Sequence, residues 1–113
     1  MNEFVKICPV SELEENRGYK FQLDSYTEIA VFKSNGNIHA IDNICPHNHA
    51  PKMANGFIKE NCAVCPVHFY EFNLETGDSK GFEGGTLRIF ETKIEDGFLF
   101  VKTQEPKSFN FDF

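Results

Sequence analysis

The chain has 113 residues, a length that suits a single domain. Its formal net charge of −6 argues against a nucleic-acid-binding protein, because such a protein needs a basic surface. No run approaches the ~18 consecutive apolar residues of a membrane span, and the N-terminus lacks a signal peptide's basic start and apolar stretch. We therefore expect a soluble cytoplasmic protein with no membrane partner, whose four cysteines are thiols or metal ligands rather than disulfides.

Short strands dominate the first half of the chain. Residues 4–7, 20–23 and 28–32 are runs rich in apolar and β-branched side chains, each followed by polar or glycine-bearing segments. One short helix is predicted at residues 11–16, because Ser11 and Glu14 have the spacing of a capping box.

Two dipeptides predict tight hairpin turns. Asn35-Gly36 lies between the strand at 28–32 and another at 38–41, and Asp96-Gly97 would join a long strand at 86–94 to a closing strand at 98–102. The pattern predicts an all-β domain over residues 1–103, followed by a tail at 104–113.

The chemistry is concentrated in two half-sites, Cys45-Pro46-His47 and Cys65-Pro66-Val67-His68. Each offers one thiolate and one imidazole, and each is flanked by strand-like sequence, which predicts a loop at the end of a hairpin. The segment between them holds strands at 56–59 and 62–64 joined by a polar turn, so the chain can travel out and return. We therefore expect the two loops to meet.

This arrangement resembles the Rieske family, in which C-x-H is followed after roughly 15–20 residues by C-x-x-H. The similarity extends outward through residues 40–51 and 65–77. It implies stacked antiparallel sheets, with a cluster-binding part at about residues 43–82 formed by two loops. It also implies one [2Fe-2S] cluster, with one iron held by Cys45 and Cys65 and the reducible, solvent-facing iron held by His47 and His68.

The ligand types and their neighbours bear on the reduction potential. Two thiolates and two neutral imidazoles leave an oxidised cluster with a charge of about zero, whereas four thiolates would leave about −2, so an electron is added more easily. The high-potential members of the family have a disulfide between the loops, where this chain has Ala50 and Val67, and serine and tyrosine hydroxyls where it has Tyr70 and Phe72. We therefore predict a potential at the low end of the Rieske range, nearer about −150 mV than +300 mV.

A zinc site is the main alternative, because two cysteines and two histidines are also a common zinc ligand set. Structural zinc sites usually place the two cysteines in one half and the two histidines in the other, whereas each half mixes them here, which favours iron and sulfide. Cys62 forms C-x-x-C with Cys65 but lies in a predicted strand, so we interpret Cys62, like Cys8, as a packed thiol.

Other residues around the motif are open to two interpretations, have a structural role or depart from the family. His49 either lines the rim of the cluster or is a solvated loop residue, and His39 is interpreted as structural. Phe69 and Tyr70 either shield the cluster or pack in the ordinary way. Residues 81–86, where many relatives have a proline-bearing third loop, contain no proline, which predicts a looser cover over the cluster.

A chain of this size leaves no room for a substrate site, so it is expected to relay electrons. Its closing residues 86–97 look most like the small subunit of NAD(P)H-dependent nitrite reductases, which implies docking on a large flavin and sirohaem subunit. The alternative is a Rieske ferredoxin between a flavoprotein reductase and a ring-hydroxylating dioxygenase. A further alternative is a module that transfers no electrons and holds a structural metal.

The tail ends in Phe109, Phe111 and Phe113, which alternate and would lie on one face of an extended segment. Exposed aromatic rings are costly. We therefore expect the tail to dock on the domain or on a neighbouring subunit, which would allow a homo-oligomer.

Overall fold

The computed structural model describes residues 3–46, 49–67, 69–80 and 85–104. Those residues form ten strands arranged in three antiparallel sheets, which confirms the all-β prediction. Among them, no helix is long and apolar enough to cross a membrane. The strands are β1 (Phe4–Pro9), β2 (Gly18–Asp24), β3 (Thr27–Ser34), β4 (Asn37–Asp42), β5 (Phe57–Lys59), β6 (Cys62–Val64), β7 (Glu71–Asn73), β8 (Ile89–Phe90), β9 (Thr92–Glu95) and β10 (Phe98–Lys102).

The strand order links the two ends of the described chain. β1 pairs with β10, which pairs with β9, in a sheet of order β1-β10-β9. A second sheet has the order β2-β3-β4-β8, and a third has the order β5-β6-β7. Both predicted hairpin turns are confirmed, since Asn35 and Asp96 each have φ 53° and the following Gly36 and Gly97 have φ 81°.

β3 lies at the centre of the packing, because its two faces contribute to two different cores. Ile29 and Val31 join a cluster with residues of the β1-β10-β9 sheet, whereas Ala30 and Phe32 join a second cluster with residues of the β5-β6-β7 sheet. Alternate side chains of a strand point to opposite faces, so β3 is buried on both sides. The second cluster consists of Ala30, Phe32, Ile41, Cys45, Met53, Ala63, Cys65, Phe72, Leu74 and Leu87.

The helix predicted at residues 11–16 is wrong. The chain makes only a single 3-10 turn at Val10–Glu12, which no side chain caps. Beyond it, Glu15 bridges to Lys33 as extended backbone, and its carboxylate accepts the N–H groups of Asn35 and Gly36 at 2.7 and 3.1 Å. Glu15 therefore accepts hydrogen bonds from the backbone of a distant hairpin turn and does not continue a helix.

The long strand predicted at residues 86–94 is also wrong in part. It is divided at Glu91 into β8, which pairs with β4, and β9, which pairs with β10. Because these partners belong to different sheets, one continuous strand could not satisfy both. Thr86 makes only an isolated bridge to Asp78.

The predicted tail lies outside the described residues except for its first residue, Gln104. The Gln104 side-chain nitrogen Nε2 donates a hydrogen bond to the Ile89 carbonyl at 2.6 Å. Phe109, Phe111 and Phe113 all lie outside the described residues.

Candidate metal centre

The first loop follows β4 and is closed by its own backbone. The Cys45 N–H donates to the Ala50 carbonyl at 2.9 Å, and the Cys45 carbonyl accepts from the His49 N–H at 2.7 Å. His49 has φ 58°, a left-handed conformation that lets the chain turn back toward its start. The Cys45 side chain is fully buried.

The second loop follows β6 and repeats this construction residue for residue. The Cys65 N–H donates to the Tyr70 carbonyl at 2.9 Å, and the Cys65 carbonyl accepts from the Phe69 N–H at 2.8 Å. Phe69 has φ 61°, so the fifth residue of each loop is left-handed although neither is glycine. Cys65 is 1% exposed. The two loops are thus the same six-residue frame, each beginning with a buried cysteine followed by proline.

Both cysteines of the predicted ligand set meet in one place. Cys45 and Cys65 belong to the same buried cluster, which also contains Met53, Phe72 and Leu87, and neither forms a disulfide. Two sheltered thiols on matching loops are suited to soft metal ions such as those of an iron–sulfur cluster, since thiolate is the preferred ligand there. The two thiols, which are the described half of the predicted donor set, therefore fit the expected cofactor.

The two predicted histidine ligands, His47 and His68, lie outside the described residues. Among the residues that are described, no group of three or more His, Cys, Asp or Glu side chains comes together as a metal site. The ligand set of Cys45, His47, Cys65 and His68 therefore stays a prediction.

Asn43 organises the first loop, and sequence reasoning did not identify it. Its side chain is 1% exposed and makes three hydrogen bonds, accepting from the Ala54 N–H at 2.8 Å and donating to Glu28 at 2.9 Å and to the Pro51 carbonyl at 3.2 Å. The signal in the sequence was a polar residue directly before a ligand loop. A buried amide with satisfied partners fixes the geometry of the segment around it.

Two hydrogen bonds join Asp42, the last residue of β4 before the first loop, to Arg88. The Arg88 guanidinium donates to the Asp42 carboxylate at 3.1 Å, and the Asp42 N–H donates to the Arg88 carbonyl at 3.0 Å. Gly85, with φ 85°, lies so close to the loop that an added Cβ would meet the Cβ of Pro46 at 3.1 Å. The predicted third loop therefore contacts the first loop at Gly85, while residues 81–84 lie outside the described part of the chain.

Three exposed apolar side chains, called the exposed rim below, lie in the second loop or next to the first. Ile44 is 43% exposed, Val67 is 40% exposed and Phe69 is 64% exposed. Phe69 therefore neither packs in the core nor is sheltered, whereas Tyr70 is partly buried against the cluster that contains the two cysteines. Exposed apolar side chains that gather around a site are typical of a surface that contacts another protein.

The remaining thiols have the packed role predicted for them. Cys8 and Cys62 are 7% and 4% exposed. Burial raises the pKa of the Cys8 thiol, and nearby Glu12 raises it further. Burial likewise raises the pKa of Cys62, with Lys80 opposing the shift. Both residues therefore favour the protonated thiol, which is a poor metal ligand and a poor nucleophile.

His39 lies on β4, the strand that leads into the first loop, and is partly buried. Burial lowers its pKa, because the protein environment disfavours the charged imidazolium. This fits the structural role predicted for it.

Comparison with known proteins agrees with the site. Residues 3–102 match the model of the Rieske-like [2Fe-2S] domain family. The chain is 32% identical over 100 residues to apoptosis-inducing factor 3 of Homo sapiens, matching 88% of this chain but only 16% of that protein. It is 30% identical to the 3-phenylpropionate/cinnamic acid dioxygenase ferredoxin subunit of Escherichia coli (strain K12), matching 87% of this chain and 92% of that protein.

Among solved structures, a protein from Mycobacterium tuberculosis assigned as an NADH-dependent nitrite reductase small subunit superposes with a TM-score of 0.84 at 20% identity, covering 94% of this chain and 99% of that one. This likeness concerns the fold. The match to the family model, together with the paired cysteine loops, shows that the chain belongs to the Rieske-like [2Fe-2S] domain family and is an electron-transfer domain carrying one [2Fe-2S] cluster.

Proposed function

We propose that the chain is a one-electron carrier whose cluster is ligated by Cys45 and Cys65 on one iron and by His47 and His68 on the other. The observation that carries this proposal is the repeated six-residue frame, which begins with a buried cysteine in both loops. A bound [2Fe-2S] cluster would supply a one-electron redox couple at these residues.

The side chains of this chain divide the remaining work. The buried Cys45 and Cys65 thiolates hold one side of the site away from water, and Met53, Phe72 and Leu87 surround them with apolar atoms. The proposed ligand His68 is flanked by residues of the exposed rim, since Val67 and Phe69 are its chain neighbours. This supports an electron exit on the histidine side, where a partner protein can approach.

For the partner we propose two candidates. The first is the large flavin and sirohaem subunit of an assimilatory NAD(P)H-dependent nitrite reductase, supported by the resemblance of residues 86–97 and by the small size of the chain. The second is a flavoprotein reductase and oxygenase pair, with the chain as its ferredoxin. The 30% identity across 92% of a dioxygenase ferredoxin subunit favours this second candidate at the level of sequence. In both cases the proposed location is the cytoplasm.

Electron transfer with defined partners tests the proposal. The purified protein is reduced anaerobically by a flavoprotein reductase, and its reoxidation is followed by visible absorbance after mixing with a nitrite reductase large subunit or with a ring-hydroxylating oxygenase. We expect rapid reversible one-electron cycling and a clear preference for one acceptor. A protein that accepts no electron from any such donor is instead a module with a structural metal.

A matched pair of variants locates the contact surface in this experiment. Phe69→Asp places a charge on the exposed rim, and aspartate tolerates the left-handed backbone there. Ile94→Asp places the same charge on β9, where Ile94 is 58% exposed. We expect slower transfer to the acceptor only for Phe69→Asp, with unchanged cluster absorbance in both variants. Equal rates for the two variants would exclude the rim as the docking surface.

A further inference from the structure

A groove of about 460 Å³ lies beside the first loop, away from the second. Pro46 and His49 form its wall on the loop side, and Tyr26 and Ile44 supply apolar surface. Gln104, the last residue that the structure describes, lies at its edge.

The apolar side of this groove is held open to solvent. Tyr26 is 90% exposed and Ile44 is 43% exposed. The backbone under both is nevertheless fixed, because the Tyr26 N–H donates to the Asp24 carboxylate at 2.8 Å and the Ile44 N–H donates to the Asp42 carboxylate at 3.0 Å. Because the backbone that carries the Tyr26 ring is already fixed, little backbone conformational freedom is lost when another segment packs on that ring.

Gln104 fixes the point at which the rest of the chain leaves. Its side chain donates to the Ile89 carbonyl at 2.6 Å, and the preceding Thr103 N–H donates to the Glu3 carbonyl at 2.9 Å. Nine residues follow, which can span at most about 30 Å when extended. The segment therefore leaves the described part of the chain at a residue that lines the groove.

The chemistry of the segment matches the groove. Phe109, Phe111 and Phe113 alternate with polar residues, so an extended segment presents three rings on one face. Because the segment is tethered to the edge of the groove, it meets that surface at an effective concentration on the order of millimolar. We propose that residues 105–113 dock in the groove of their own chain, with phenylalanine rings against Tyr26 and Ile44, and cover the outer flank of the first ligand loop.

Another aromatic surface of the chain is already covered. On the outer face of the β1-β10-β9 sheet, the Lys93 ammonium lies 4.5 Å from the centre of the Phe4 ring and 5.6 Å from that of Phe100. The Lys6 ammonium likewise lies 3.9 Å from the centre of the Phe98 ring. The aliphatic parts of these lysine side chains shelter the rings from solvent, whereas Tyr26 is exposed. The groove is therefore the more accessible binding surface for the tail.

Proteolysis of the full-length protein tests this proposal. Cleavage of the tail by proteinase K is followed by mass spectrometry in the unmodified chain, in Tyr26→Ser and in Ile94→Ser. Tyr26 and Ile94 are both exposed apolar residues, so neither substitution disturbs a core, but only Tyr26 lines the groove. We expect the tail to be cut about tenfold faster in Tyr26→Ser, equivalent to about 1.4 kcal/mol of docking free energy, and at the unmodified rate in Ile94→Ser.

Hydrogen exchange gives an independent readout from the groove side. Removing residues 105–113 should speed amide exchange at residues 24–27 and at Ile44 and leave residues 92–95 unchanged. Equal tail cleavage in the unmodified chain and Tyr26→Ser would overturn the proposal. So would protection that disappears on dilution, because the occupant would then be the tail of a second copy. Neither readout depends on electron transfer, so a failure here is separate from a failure of the proposed function.

Discussion

The Ala54 N–H donates a 2.8 Å hydrogen bond to the side-chain oxygen of Asn43, and this contact ties the entry of the first ligand loop to its exit. The same amide group donates to Glu28 and to the Pro51 carbonyl. Because Asn43 is buried, its removal leaves several polar groups without their partner.

We therefore predict that Asn43→Ala destabilises the protein by roughly 2–4 kcal/mol, as judged by urea titration. Asn37→Ala is the matched control, because Asn37 is exposed on the first residue of β4. It should cost less than about 0.5 kcal/mol. Similar losses for the two variants would show that the buried amide does not organise the loop.

Replacing each cysteine by alanine separates ligands from packed thiols. Cys45→Ala and Cys65→Ala should abolish the visible iron–sulfur absorbance and the bound iron, because each removes a proposed thiolate ligand. Cys62→Ala and Cys8→Ala should keep both, because these buried thiols lie in the strands β6 and β1. Iron analysis and the electron paramagnetic resonance spectrum of the reduced protein provide the measurement. A cluster that survives Cys45→Ala would refute the ligand set, and stoichiometric zinc without visible absorbance would favour a zinc site.

Gly56 directly precedes β5 and lies against the end of β6, the strand that pairs with β5. A Cβ there would collide with the Val64 carbonyl and lie 3.2 Å from Cδ of Pro66. Gly56→Ala should therefore cost roughly 1–3 kcal/mol of stability and also lower the iron bound per chain, because Pro66 belongs to the ligand loop.

Gly36→Ala is the control for that substitution. Gly36 has φ 81°, and a methyl group added there would have open space for 4 Å around it, so alanine meets only backbone strain of roughly 1–2 kcal/mol. We expect Gly36→Ala to leave the iron content unchanged. Loss of iron in both variants would mean that general destabilisation, rather than displacement of Pro66, accounts for the effect.

The reduction potential should lie at the low end of the Rieske range, nearer about −150 mV than +300 mV. None of the four cysteines forms a disulfide, so no disulfide clamps the loops, and the buried Phe72 supplies no hydroxyl to the site. A potentiometric titration monitored by visible absorbance measures the midpoint. A clearly positive midpoint would contradict the prediction.

His39 should make stability depend on pH. Burial lowers its pKa below the usual 6.5, so the unfolded chain takes up a proton at a higher pH than the folded chain does. The stability present above pH 6.5 is then lost progressively as the pH falls toward the folded-state pKa. His39→Gln should reduce this loss, measured as free energy of unfolding at about pH 7.5 and pH 5.5. An unchanged pH dependence would assign it to other groups.

Local signals in the sequence were sufficient for much of this fold. The turns at Asn35-Gly36 and Asp96-Gly97 depend on the conformational preferences of two adjacent residues, and both were predicted correctly. The strand at 98–102 was predicted with its observed bounds, because a short apolar run begins directly after the Asp96-Gly97 turn. The buried position of Cys62 followed from its place in a short apolar run.

The errors arose where a distant partner decides the local structure. Glu15 satisfies the amides of the hairpin turn at residues 35 and 36, a contact that no local pattern in residues 11–16 could indicate. The break at Glu91 exists because β8 and β9 belong to different sheets. Asn43 was missed for the same reason, since its bonding partners are spread from Glu28 to Ala54.

The two six-residue loops share one pattern of backbone hydrogen bonds, although their predicted histidine ligands stand at different positions. Backbone hydrogen bonds and one left-handed residue close each loop, and the predicted histidine stands third in one frame and fourth in the other. The closure of each loop therefore depends on hydrogen bonds of the backbone and not on which position carries the histidine.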